Sequence, residues 1–232
     1  MNGRLAAADL VAASRRLGPV MPNLSLVPAT FELGRQENRL LIRHLLQPGE
    51  TDPRFALVRL LSSDAVLAAF KLVIIDTPPR PTIGTIAALC ASTHAIIPTI
   101  LDKGSTDNVG GVIAMMDRLF RKDLNPHIKF AGIVGTKTQA QRLDATERRS
   151  RFDAERVAQA RWGSRAGGIE AIAVLEEWPD DGYVLQKNVP DTARFHADAG
   201  HTIAYLDERQ PNAVTRAHIA ELGRQIARRI GL

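Results

Sequence analysis

The apolar run KLVIID, at Lys71–Asp76, restricts the possible folds of this chain most strongly. Strands that are buried on both faces of a parallel sheet have continuous apolar sequences of this kind. The run ends in a carboxylate, Asp76, which is followed at once by Thr77-Pro78-Pro79. Because proline cannot donate to a strand ladder, the strand should end at Asp76 and continue into a stiff loop.

Short apolar runs alternate with segments of helical periodicity along the chain, which predicts βαβ units. We therefore expect an α/β fold of the P-loop NTPase type in a single domain over residues 1–232, with a doubly wound, mostly parallel sheet and helices on both of its faces. A last helix should carry Ile219, Leu222, Ile226 and Ile230 on one face and end at Gly231. The other predicted helices are Phe31–Leu46, Pro53–Phe70, Ile83–Ser92, Val109–Arg121 and Ala140–Arg161, and the predicted strands are Asn23–Val27, Lys71–Asp76, His94–Ile100, Ile128–Gly135 and Ala171–Leu175.

The composition excludes several classes of protein. Cys90 is the single cysteine, which excludes a disulfide framework and a multi-cysteine metal site and is typical of the reducing cytoplasm. No apolar stretch approaches the roughly 18 residues of a membrane span, and the N-terminal residues predict an amphipathic helix and not a signal peptide. The net charge of +5 favours polyanionic partners such as nucleic acid. An arginine-rich genome bias explains the same charge equally well.

Asp76 is the candidate for chemistry. A carboxylate at the C-terminal end of a buried parallel strand lies where open α/β sheets bind ligands. Such a group can hold Mg²⁺ beside nucleotide phosphates, directly or through water. The proline loop that follows could then respond to the γ-phosphate. The alternative is that Asp76 only ends a strand by capping the next turn.

The region around Asp76 resembles the Walker B and switch II region of the ParA/MinD family of ATPases. The resemblance consists of IIDTPP, a following helix and a strand that contains IIPT. The turn Asp102-Lys103-Gly104-Ser105 resembles the small-residue turn that opens the family's next helix. Gly132-Ile133-Val134-Gly135-Thr136 resembles the signature that closes a later strand. These segments follow the family's order.

Further segments extend the resemblance from about residue 5 to the end of the sequence. Two departures are His196, where the family has glutamate, and Thr202, where it has proline. The matching segments are Asn23–Ala29, Glu37–Leu41, Asn188–Asp191 and Ala197–Ile203.

The resemblance implies an ATPase that dimerises around ATP and Mg²⁺, binds DNA non-specifically and partitions a plasmid or chromosome with a ParB-like, centromere-binding partner. It implies a cytoplasmic, nucleoid-associated protein that does not enter the membrane. Asp76 would hold the magnesium, directly or through water, and serve catalysis. The residues implied to contact the nucleotide are Thr77, Pro78 and Pro79 in switch II, and Thr136, Lys137, Val189 and Pro190 near the adenine.

The family's phosphate-binding loop is absent from this sequence, because no segment matches G-x-x-x-x-G-K-[ST]. The resemblance places residue 5 beyond that loop, so we expect an ATPase domain that lacks its N-terminal strands and binds no ATP by itself. The interpretations are a truncated gene or misassigned start codon, a split protein completed by another chain, and a degenerate relative that binds DNA or a partner ATPase. Truncation is favoured, since the switch and basic regions look intact.

Arginines concentrate in residues 141–165 and in the last helix. Arginines on one exposed face of a helix could grip DNA phosphates without reading bases. A solvated helix face with ion pairs such as Glu147–Arg151 is the simpler interpretation of residues 141–165. In the last helix the candidate DNA-binding residues are Arg216, Arg224, Arg228 and Arg229.

Overall fold

A computed structural model provides the structure of the chain. It divides into two compact units, Met1–Ser92 and Thr93–Leu232, and each unit is treated by itself below. The residues that the structure describes are 7–17, 21–29, 32–47, 52–78, 80–121, 124–136, 144–162 and 213–232.

The first unit begins with α1 (Ala7–Ala13) and a small antiparallel pair, β1 (Arg15–Leu17) and β2 (Met21–Leu26). The amphipathic N-terminal helix and the strand near Asn23 were predicted, but no sequence pattern indicated β1 or antiparallel pairing. Helices follow, and α5 packs against the 3₁₀ turn and α3. They are α2 (Leu33–Leu46), the 3₁₀ turn Pro53–Phe55, α3 (Ala56–Leu61), α4 (Asp64–Ala69) and α5 (Ile83–Ala91).

The predicted helix Pro53–Phe70 is therefore broken into three pieces. Asp52 caps the first piece, because its Oδ1 accepts a hydrogen bond from the Arg54 amide at 2.9 Å. The break between α3 and α4 falls at Ser62-Ser63, where Ser63 Oγ donates to the Leu60 carbonyl oxygen at 2.8 Å. Serine side chains that bond to the local backbone in this way compete with the helix ladder.

The prediction of a strand at Lys71–Asp76 is wrong in this structure. Residues 72–78 have no regular secondary structure, and Leu72, Val73 and Ile74 are 49%, 44% and 82% exposed. The physical reason is that a buried parallel strand needs a neighbour to bond to and a layer to cover it. Among the described residues of the first unit, only β1 and β2 form a ladder, and they pair with each other.

The second unit contains a parallel pair, β3 (His94–Ile100) and β4 (Lys129–Thr136), joined through α6 (Lys103–Arg121). The register runs from His94 opposite Lys129 to Ile100 opposite Thr136. α7 (Ala145–Trp162) packs on α6 and β4, and α8 (Ala213–Ile230) packs on β4. This βαβ unit confirms two predicted strands, and α6 starts six residues before the predicted Val109.

The core of the second unit lies between its parallel strands and helices. Ile113 and Met116 on α6 and Phe130 and Ile133 on β4 are at most 1% exposed. On α8, Leu222 packs against Val134, as the predicted apolar stripe requires. α8 ends as predicted at Gly231, whose φ is 80°, where the amide of Leu232 donates to the Ala227 carbonyl oxygen at 2.9 Å.

The described residues show a mixed α/β architecture with one parallel and one antiparallel pair of strands. The doubly wound sheet is not seen among them, and the predicted strand Ala171–Leu175 lies outside the described residues. None of the helices that the structure describes has the length and apolarity needed to cross a bilayer.

Candidate functional site

Asp76, Thr77 and Pro78 lie together in an exposed segment that leads towards α5. Pro79, the last residue of the expected switch, lies outside the described residues. Because Asp76 is exposed, its carboxylate is accessible to a ligand without unfolding of the first unit. Mg²⁺ beside a nucleotide commonly takes one or two protein carboxylates and completes its octahedron with water and phosphate oxygens. An exposed single carboxylate therefore fits the role that the resemblance implies for Asp76.

The turn after this segment is held by hydrogen bonds to Arg80. The carbonyl oxygen of Arg80 accepts from the Thr82 amide and from Thr85 Oγ1, both at 2.9 Å. Thr82 is the N-cap of α5, and its Oγ1 accepts from the Thr85 amide at 3.2 Å. The segment that contains Asp76 therefore has a fixed far end.

Glu37, on α2, adds a second tie to the same place. One oxygen, Glu37 Oε1, accepts from Thr82 Oγ1 at 2.9 Å and from the Gly84 amide at 3.0 Å. A carboxylate at a helix N-terminus satisfies unpaired amides and interacts favourably with the helix dipole. Glycine at position 84 makes the approach possible, since a Cβ there would collide with Glu37 Oε1.

No sequence pattern indicated this role for Glu37. Glu37 is 45 residues from Thr82 and 47 from Gly84, so no local pattern links them. The only available signal was the threonine immediately before an apolar helical run, which indicates an N-cap. It could have identified Thr82 but not the carboxylate that binds it.

In the second unit, Thr136 is the last residue of β4 and pairs with Ile100 at the C-terminal end of β3. Leu101 packs beside it, close enough to Gly135 that a Cβ there would lie 2.9 Å from Leu101 Cδ1. Asp102 then opens α6, accepting from the Ser105 amide at 2.7 Å and from Ser105 Oγ at 3.1 Å. The turn that resembles the family's small-residue turn is thus a helix cap.

The structure leaves the other adenine-side residues untested, because Lys137, Val189 and Pro190 lie outside the described residues. Asp76–Pro78 and Thr136 belong to different compact units. Among the described side chains, no three of His, Cys, Asp or Glu gather as they would around a protein-enclosed metal ion.

The candidate DNA-binding arginines occupy α8. Arg224 and Arg228 are exposed and, four residues apart, share one face of the helix. Arg229 is half-buried, on the side of the helix nearer to Leu222. Arg216 lies within α8, and its side chain is outside the described part of the structure.

Comparison with known proteins adds the family. A family model described as an AAA domain matches residues 12–130, which is just over half of the chain and includes Asp76. The chain is also 25% identical over 128 residues to the chromosome-partitioning ATPase Soj of Thermus thermophilus. That match covers 55% of this chain and 49% of Soj, so it spans about half the length of this relative. The chain therefore belongs to the ParA/MinD family of AAA domain proteins.

Proposed function

We propose that this chain carries the magnesium-binding and switch residues of a ParA-like partition ATPase. The observation that carries the proposal is the family match over residues 12–130, within which Asp76-Thr77-Pro78 forms an accessible segment. The activity would be ATP-dependent dimerisation coupled to non-specific DNA binding, in the partitioning of a chromosome or plasmid. The chain would work in the cytoplasm at the nucleoid, with a ParB-like partner.

In this proposal Asp76 orients Mg²⁺, directly or through one water molecule, beside the nucleotide phosphates. The bound metal supplies electrostatic stabilisation of the charge that develops during phosphoryl transfer. Thr77, Pro78 and Pro79 form the segment that responds to the nucleotide. The fixed turn at Arg80 and Thr82 confines that response to the residues before it.

The same proposal requires that these 232 residues alone do not turn over ATP. Backbone amides of a glycine-rich loop and its lysine normally hold the phosphates, and no segment of this sequence matches that pattern. Isothermal titration of the chain with Mg-ATP should show no saturable binding. Tight binding would contradict this part of the proposal.

The role of Asp76 is tested in an N-terminally extended product that supplies a phosphate-binding loop. We expect that product to hydrolyse ATP and Asp76→Ala to lower its rate about a hundredfold or more, because a charge-stabilising contact is lost. Asp64→Ala, which removes an exposed carboxylate on α4, is the matched control and should leave turnover unchanged. Normal turnover in Asp76→Ala would refute the assignment.

DNA binding is proposed to use Arg216, Arg224, Arg228 and Arg229. The exposure of Arg224 and Arg228 on one face of α8 supports this. Replacement of both by alanine should weaken duplex binding and reduce its dependence on salt by about one ion per lost phosphate contact. Electrophoretic mobility shifts at two salt concentrations measure both effects, and unchanged affinity would exclude α8.

A second candidate is a non-catalytic relative that binds DNA or a partner ATPase. The exposure of Leu72, Val73 and Ile74 favours it, because such a segment could be covered by another chain. Failure of the extended product to bind Mg-ATP, together with retained capture of a full-length ParA-like ATPase, would favour this candidate over the first.

A further inference from the structure

The helix α7 separates its small residues from its charged ones. Ser150, Ala154 and Ala158 are 5%, 2% and 1% exposed, on the face that packs against α6 and β4. On the opposite face, Phe152 is 64% exposed. A phenyl ring that exposed gains nothing from the core, and its neighbours on the outer face decide what it can bind.

Those neighbours are arginines. Arg148 and Arg149 precede the ring by four and three residues, and Arg156 follows it by four, so all three lie beside Phe152 on the outer face. All three are exposed. At a rise of about 1.5 Å per residue, Arg148 and Arg156 are separated by about 12 Å along the helix axis, with the ring halfway between them.

The acidic residues of α7 offset this charge only weakly. Asp144 and Glu147 bond to each other's backbone amides at 2.8 and 2.9 Å in a capping box, and Glu147 is buried. Glu155 pairs with Arg151 at 3.2 Å. Asp153 lies 3.4 Å from Arg156, but this is an exposed pair, which a polyanion can replace at little cost.

We infer that this surface, Arg148, Arg149, Phe152 and Arg156, binds single-stranded nucleic acid. An unpaired base would stack on the Phe152 ring while the guanidinium groups contact the phosphates on both sides of it. Duplex DNA would offer the phosphates but keep its base faces inside the stack, leaving the ring without a partner. This inference is independent of the proposed ATPase function and lies on a different helix from the arginines proposed to bind duplex DNA.

An anionic membrane fits this surface less well. Helices that lie in a bilayer interface bury a broad apolar face in the lipid. The small apolar residues of α7 are covered by α6 and β4, and a single ring remains. The charge of the outer face and its one aromatic group therefore fit a strand with phosphates and accessible bases.

The test is fluorescence anisotropy of the full chain with labelled oligothymidylate and oligouridylate of about 20 nucleotides. Phe152→Ala should weaken binding of both about five- to 150-fold, and Phe152→Trp should retain it, because stacking on the ring is the lost interaction. Arg149→Ala should weaken oligonucleotide and heparin binding alike and lower the salt slope by about 0.7. Leu232→Ala, which truncates an apolar residue 65% exposed elsewhere, is the matched control and should change nothing.

Duplex DNA and vesicles of phosphatidylglycerol complete the test. The inference is supported if Phe152→Ala leaves affinity for duplex and heparin unchanged, and a preference for one oligonucleotide would identify the sugar. It is overturned if wild type binds neither oligonucleotide at low salt, if Phe152→Ala binds them as wild type does, or if vesicles are bound through Phe152 instead. Arg224→Ala with Arg228→Ala separates the two proposals, because the Phe152 effect should persist in that background.

Discussion

His94 makes the stability of the second unit sensitive to pH. Burial lowers the pKa of this imidazole, and the charge of Lys129, its partner across the β3–β4 register, lowers it further. The unfolded chain, with an ordinary pKa of about 6.5, then binds more protons than the native state in weak acid. This contribution to stability is therefore complete above about pH 6.5 and is lost as the pH falls below it.

We predict that the urea midpoint of the second unit decreases between about pH 7.5 and pH 5.5, and decreases less in His94→Gln. Both tryptophans, Trp162 and Trp178, belong to this unit, so their fluorescence follows its unfolding. Equal pH dependence in wild type and variant would show that other groups cause the change.

Cys90 should be unreactive while the first unit is folded. Its side chain is 7% exposed, and burial raises the pKa of the thiol, with the Arg54 charge acting against this rise and the Asp52 carboxylate adding to it. Because thiolate is the reactive form, we predict slow labelling by an aromatic disulfide at neutral pH and rapid labelling in denaturant. Rapid labelling of the native chain would contradict the buried position, and the single cysteine makes the reading unambiguous.

At the scale of elements, the contact between Glu37 and the start of α5 predicts opposite effects of two glycine substitutions. Alanine normally stabilises a helix by about 0.5–1 kcal/mol relative to glycine. Gly34→Ala, with open space around it on α2, should show that gain. Gly84→Ala should instead destabilise the first unit by about 1 kcal/mol, because loss of hydrogen bonds to a charged group costs roughly 1.5–3 kcal/mol. Denaturant-dependent labelling of Cys90 measures both variants, and equal gains would refute the contact.

The elements that the sequence predicted correctly are those whose partners lie close along the chain. β3 has the predicted bounds, and β4 and α5 differ from theirs by one residue at an end, because each follows or precedes a helix that covers it. Lys71–Asp76 has an equally strong apolar pattern, but a pattern does not supply the neighbouring strand. The site divides in the same way: Asp76 could be proposed from its local sequence, whereas Glu37 acts through the fold.

At the scale of the molecule, the apolar surface of the first unit predicts self-association. Leu46 and Ile74 are 75% and 82% exposed, and most of the exposed large apolar residues that the structure describes belong to this unit. Exposed apolar residues in an unpaired segment favour contact between chains. Ile74→Lys should lower the association seen in sedimentation velocity, whereas Leu232→Lys, in the other unit, should not. An unchanged distribution in Ile74→Lys would show that another surface drives association.

The bond between Glu37 and α5 also sets how a movement near Asp76 would spread. With Thr82 held by α2, residues 76–81 can swing only as a short lever about a pivot at Thr82. A displacement large enough to shift Thr82 would have to break the Glu37 contacts and release the N-terminal turn of α5. Small rearrangements would then stay local, and larger ones would reach α2, which has no buried residue to hold it elsewhere.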